Sequence, residues 1–123
     1  MTPFGVRVRA LRKQRRLTLK RMAADLQLSP AYLSALEHGR RGRPTWSLVQ
    51  QIVEYLNIIW DEAEELHRLA RISHPRIVID TAGLEPEATE LANRLASDIA
   101  ALPRDRLRRL LDVLDSSRSN CTK

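Results

Sequence analysis

The stretch LTLKRMAADLQLSPAYLSALEHGRR, Leu17 to Arg41, holds two short helical patterns separated by a tight turn. The first opens at Thr18, a residue type that caps helices, and places Leu19, Met22, Ala23 and Leu26 at the spacing of one apolar stripe. Gln27 and Leu28 connect it to Ser29, a second cap, and Pro30 takes the first helical position, where a missing N–H costs nothing. The second helix buries Leu33 and Leu36 and stops at Gly39, where a left-handed residue is cheap only without a Cβ. Ala23 falls near the elbow, where the two helices must approach. Two helices joined by a turn of about four residues, the second cleanly capped, form a helix-turn-helix. The outer positions of that second helix are small and uncharged, and Arg40, Arg41 and Arg43 follow it directly.

The flanking sequence adds three more helices. Phe4, Val8 and Leu11 form an apolar stripe after Pro3, with Arg7, Arg9, Arg12 and Lys13 on other faces. Thr45 caps TWSLVQQIVEYL, which turns Leu48, Ile52, Val53 and Leu56 inward and sets Trp46 over the edge of the core. WDEAEELHRLARI is a fifth helix, acidic early and basic late, as the helix dipole prefers. His74-Pro75 breaks this pattern, and Arg76 to Asp80 is extended in character, either a strand added to a dimer or a segment lying along the core. A helix from Pro86 then carries Ala88, Leu91, Leu95 and Ile99 on one face, and another from Pro103 carries Leu107, Leu110, Leu111 and Leu114. Such faces must pack on each other, on the first domain or on a second subunit. The expected architecture is all-α. A five-helix domain spans residues 1–72, a short C-terminal helical dimerisation region spans 73–115, and a disordered tail spans 116–123.

On the residues Arg12, MAADLQLSPAYLSALE and Glu37-x-Gly39, the segment about 4–72 resembles the Cro/repressor-type helix-turn-helix family, also called the xenobiotic-response-element family. The resemblance implies that the helix starting at Ser29 is a recognition helix, with Ser29, Pro30, Ala31, Tyr32, Ser34 and Ala35 facing the major groove of double-stranded DNA. The family often has glutamine, arginine or asparagine at such places, whereas this sequence has Pro30, Ala31 and Ala35. Alanine can touch a thymine methyl group, and Tyr32 and Ser34 remain as polar readers, supplemented by deformability of the DNA. Phosphate contacts fall to Lys20, Arg40, Arg41 and Arg43 and to the helix starts at Thr18, Ser29 and Thr45. The family pattern also pairs an arginine of the first helix with the glutamate ending the recognition helix, here Arg12 and Glu37.

Charge agrees with a polyanion partner. Of 123 residues, 21 are Lys or Arg and 15 are Asp or Glu, a net charge of +6. Residues 1–60 hold eleven of the basic and three of the acidic side chains, a net +8, while residues 61–123 carry a net −2. Taken alone, this asymmetry also fits a solvated arginine-rich surface. No apolar run approaches the roughly 20 residues of a membrane span, and the N-terminus lacks the apolar centre of a signal peptide, so a cytoplasmic protein is expected. The single cysteine, Cys121, excludes an intrachain disulfide. His38, His67 and His74 lack metal-ligand spacing, and neither a catalytic Ser/His/Asp grouping nor a glycine-rich phosphate loop occurs, so no metal, cofactor or enzymatic activity is expected. The acidic run Asp61, Glu62, Glu64, Glu65 is a solvated helix face or a contact for RNA polymerase or a partner protein. The functional expectation is a homodimeric, sequence-specific transcriptional regulator that represses by occupying a promoter. The alternative is an antitoxin-like module whose C-terminal helices mask a toxin.

Overall fold

The computed structural model describes residues 1–40 and 44–121, with side chains to residue 117. Seven α-helices occur among them: α1 Pro3–Gln14, α2 Leu19–Asp25, α3 Pro30–His38, α4 Trp46–Leu56, α5 Asp61–Arg71, α6 Pro86–Asp98 and α7 Arg104–Cys121, with one turn of 3-10 helix at Ile99–Ala101. The chain divides into two units, Met1–Ile77 and Val78–Lys123.

The first unit owes its shape to side chains that close helix ends. Thr2, Thr18, Ser29 and Thr45 each accept, through their hydroxyl oxygen, the backbone N–H three residues on, at 3.0 to 3.2 Å. Each such cap is worth about 1 kcal/mol. The C-termini close as paired bonds around a left-handed residue. At α3, the N–H of Arg40 reaches the Ala35 carbonyl at 2.9 Å while Gly39 sits at φ 74°. The same closure recurs at Arg16, Gln27 and Asn57, all at positive φ without being glycine.

Helix α1 packs against α3 and α5, α2 against α3, and α4 against α5. Between them lie Phe4, Val8, Met22, Leu33, Ile52, Leu56 and Leu66, all essentially inaccessible to solvent. Leu19 and Leu26 only pack against the margin of this core. Trp46 does not cover the core edge. It is exposed and stacks on His67 at a ring-centroid distance of 5.2 Å, because its place at the first residue of α4 turns it outward.

The first unit runs to Ile77, and the contacts of Ser73 belong to it. Ser73 is buried, its Oγ accepting the Phe4 N–H at 2.9 Å and donating to the Leu69 carbonyl at 2.6 Å. One hydroxyl thereby fastens the end of α5 to the start of α1. Residues 76–80 form no strand within the single chain, and Ile77, Val78 and Ile79 are exposed.

The second unit is helical to Cys121, past the expected start of a disordered tail at 116. After Pro103 no glycine or proline interrupts the backbone hydrogen bonding, so the helix continues. Residues 78–117 contain no buried side chain. No described helix is long and apolar enough to cross a membrane.

Candidate nucleic-acid interface

Helix α3 is amphipathic across its nine residues. Leu33, Leu36 and Glu37 are buried, while Pro30 and Ala31 are exposed and Ser34 and Ala35 are half-exposed. Ser29, at the cap, is exposed as well. The outward strip is therefore small and uncharged over two turns, which allows the helix backbone to come close to a partner surface. Tyr32 differs from its neighbours. It is half-buried and packs against the core, so only part of its ring belongs to the outer strip.

His38 belongs to this strip although its sequence context did not single it out. It is exposed one turn after Ser34, and its Nδ1–H donates to the Ser34 carbonyl at 2.9 Å. That bond orients the ring and leaves Nε2 free of the helix. The signal was present in the spacing Pro30, Ser34, His38, which is one face of a helix.

The position of α3 is set by α1 through one residue, Glu37. Its carboxylate receives Arg12 through Nε at 3.3 Å and Nη2 at 3.4 Å, with both side chains largely buried. The remaining Arg12 Nη1 donates to the Leu17 carbonyl at 3.1 Å, in the turn before α2. The guanidinium thus ties together α1, the α1–α2 turn and α3. The backbone of Glu37 is engaged too: a Cβ on Gly5 would lie 1.8 Å from the Glu37 carbonyl oxygen. Helix α1 crosses the last turn of α3 at that glycine, and no other residue fits there without displacing backbone. A buried pair of this kind need not add net stability, but it selects one geometry.

Helix α2 is located by the Tyr55 hydroxyl of α4, which donates to Asp25 Oδ2 at 2.5 Å; Arg21 pairs with the same oxygen at 3.2 Å. The hydrogen bond from Tyr55, and secondarily Arg21, hold the Asp25 carboxyl below its ordinary pKa. Burial, followed by the Asp25 contact, pushes the Tyr55 phenol up.

Four cation or cap positions lie on the segments flanking α3 in the chain. Lys20 in the first turn of α2 is exposed, Arg40 directly after α3 is exposed, and Thr18 and Thr45 stand exposed at the starts of α2 and α4. Arg41 and Arg43 lie outside the described residues. The histidines are accounted for locally: His67 hydrogen-bonds Gln50 at 3.1 Å beneath Trp46, and the His74 ring accepts the Arg76 N–H at 3.2 Å.

The sequence pattern of the helix-turn-helix domain matches residues 3–67, more than half of the chain. The chain belongs to the helix-turn-helix domain family. Within this helix-turn-helix domain, α2 and α3 are the two helices of the motif. The chain is 36% identical over 61 residues to the HTH-type transcriptional repressor RghR of Bacillus subtilis, a match covering 50% of this chain and 45% of that protein. It is 33% identical over 61 residues to the uncharacterized HTH-type transcriptional regulator RghRB of the same organism, covering 50% of this chain and 44% of that protein. The match thus spans less than half the length of either relative. No solved structure matches the chain.

Proposed function

We propose that this chain is a sequence-specific double-stranded DNA-binding transcriptional regulator that acts as a homodimer and represses by occupying a promoter. The observation that carries the reading is the outer strip of α3, small and uncharged, on a helix held in one orientation by the buried Arg12–Glu37 pair. A helix with that surface fits a major groove about 12 Å wide. In this reading Ala31 and Ala35 meet thymine methyl groups, Ser29 and Ser34 donate to or accept from base edges, and Pro30 and Tyr32 shape the approach. Lys20, Arg40, Arg41 and Arg43, with the helix starts at Thr18 and Thr45, take phosphates on either side. One matched relative carries the name repressor, which agrees with exclusion of polymerase as the mode of action. Residues 73–115 assist dimerisation, setting two α3 helices about 34 Å apart to reach successive major grooves.

In-vitro selection from random duplexes tests the proposal. The expected result is an enriched inverted repeat whose half-sites lie about one helical turn apart. Recovery of unrelated duplexes with no shared sequence would overturn it.

A further inference from the structure

Helix α7 presents an apolar face that nothing in its own unit covers. Leu110, Leu111 and Leu114 are 40%, 54% and 59% exposed, and Leu107 is half-buried. An 18-residue helix with no buried side chain among those described is marginal in water and needs a partner surface. The pattern of charges on either side of this face identifies the partner.

In the sequence from Arg106 to Asp115, RLRRLLDVLD, the leucines are symmetric about the point between Leu110 and Leu111, and Arg106 and Arg109 on one side mirror Asp115 and Asp112 on the other. At about 100° per residue, Leu107 and Leu114 fall within about 10° of a common line, and Leu110 and Leu111 about 50° to either side of it. Arg104, Arg108 and Asp115 occupy one flank, about 70° to 110° from that line, while Arg106 and Val113 occupy the other.

A second α7 running antiparallel, related by a two-fold axis between residues 110 and 111, sets Leu107 opposite the partner's Leu114 and Leu110 beside the partner's Leu111. The two-fold brings like flanks together. Asp115 then lies between the partner's Arg104 and the partner's Arg108, each about 3 Å up or down the helix axis. By symmetry the pairing occurs twice. A parallel pair has the opposite electrostatics, because it places Arg106 beside the partner's Arg104 and the partner's Arg108. Neither Arg104, Arg108 nor Asp115 takes part in the salt bridges among the described residues, so all three are available for this exchange.

We infer that α7 is a self-pairing surface, joining two copies of this chain as an antiparallel helix pair with Asp115 held between the arginines at 104 and 108 of the other copy. The inference deepens the homodimer reading above and rests on it, but not on DNA binding, so it is tested on the full chain without DNA.

Sedimentation across a concentration series measures the dimer. Asp115→Arg puts like charges together at both symmetry-related pairings and weakens dimerisation about tenfold or more. The triple variant Arg104→Asp, Arg108→Asp, Asp115→Arg exchanges the two signs and restores it, which loss of folding could not do.

Orientation is read from disulfides in a Cys121→Ser background. Mixed and oxidised Leu107→Cys and Leu114→Cys chains form 107–114 crosslinks and few crosslinks between identical positions, because Leu114 and the partner's Leu114 stand about 10 Å apart along the axis. A dimer that survives Asp115→Arg, or that crosslinks 107 to 107 and 114 to 114, overturns the antiparallel pair while leaving the homodimer reading intact. A full-length chain that stays monomeric overturns both.

Discussion

Residues 1–77 and residues 78–123 have comparable proportions of leucine and isoleucine faces, yet they treat them oppositely. The first unit turns fifteen apolar side chains inward until they are buried. The second has helices of 13 and 18 residues and buries none among its described side chains. The difference is one of geometry. Five short helices surround a common centre, so the apolar stripe of each finds at least one neighbouring helix to pack against. Two helices in sequence have only each other, and a stripe facing outward on both stays wet. The first unit therefore carries its own fold, whereas the apolar faces of the second are addressed to something else. In the reading proposed above, folding belongs to the first unit and self-association to the second.

Mutation should separate these two roles. Phe4→Ala removes a fully buried ring at the start of α1 and should destabilise the first unit by about 3–5 kcal/mol in denaturant unfolding. Leu111→Ala, more than half exposed, should change that unfolding by less than about 0.5 kcal/mol and act on self-association instead. Similar losses from both substitutions would erase the distinction between the units.

Within the first unit, Glu37→Ala leaves Arg12 buried against only the Leu17 carbonyl and should cost about 2–3 kcal/mol. A double-mutant cycle with Arg12→Ala should show coupling above about 1 kcal/mol; a value below about 0.3 kcal/mol would mean that the two charges act independently.

A smaller effect should appear in the pH dependence. Asp25 is held below its ordinary pKa of 3.8, mainly by the Tyr55 hydroxyl, so its contribution is present above 3.8 and is lost as pH falls through the lowered folded value. The Tyr55 phenol, raised above 10.0 by burial and then by Asp25, contributes below 10.0, and that contribution is lost as pH climbs through the raised value. Tyr55→Phe should therefore flatten both limbs of the stability curve relative to the parent chain. Curves that stay parallel from about pH 5 to about pH 2 would remove the Tyr55–Asp25 contact from the account.

The starts of helices were legible in the sequence because they depend on one side chain at a fixed offset. Thr18, Ser29 and Thr45 each bond the N–H three residues on, and nothing remote is needed to recognise them. The ends were less legible. Gly39 announced the end of α3, but Arg16 and Gln27 hold the same left-handed conformation without glycine's signature. Long-range constraints left weaker marks still. Gly5 looks like a poor helix residue until the Glu37 carbonyl is placed against it, and Ser73 looks like the residue after a helix until its hydroxyl meets the Phe4 N–H. The small residues of α3 could be read as an outward strip from spacing alone. His38 shares that spacing with Pro30 and Ser34, whereas the partly inward turn of Tyr32 needed the packed structure.

The central claim is that the outer strip of α3 reads bases while the arginines after it hold phosphates. Binding-site selection on Ala31→Gln and Arg40→Ala, with a salt titration of each, tests it most directly. Ala31→Gln should change the preferred base at one position of each half-site, by about 1–3 kcal/mol of discrimination, with the salt slope unmoved because no charge is added. Arg40→Ala should leave the selected sequence alone, weaken all duplexes alike and make the slope of log K against log salt shallower by about 0.9. A selected sequence unchanged by Ala31→Gln but rewritten by Arg40→Ala would contradict the claim and put a different surface in the groove.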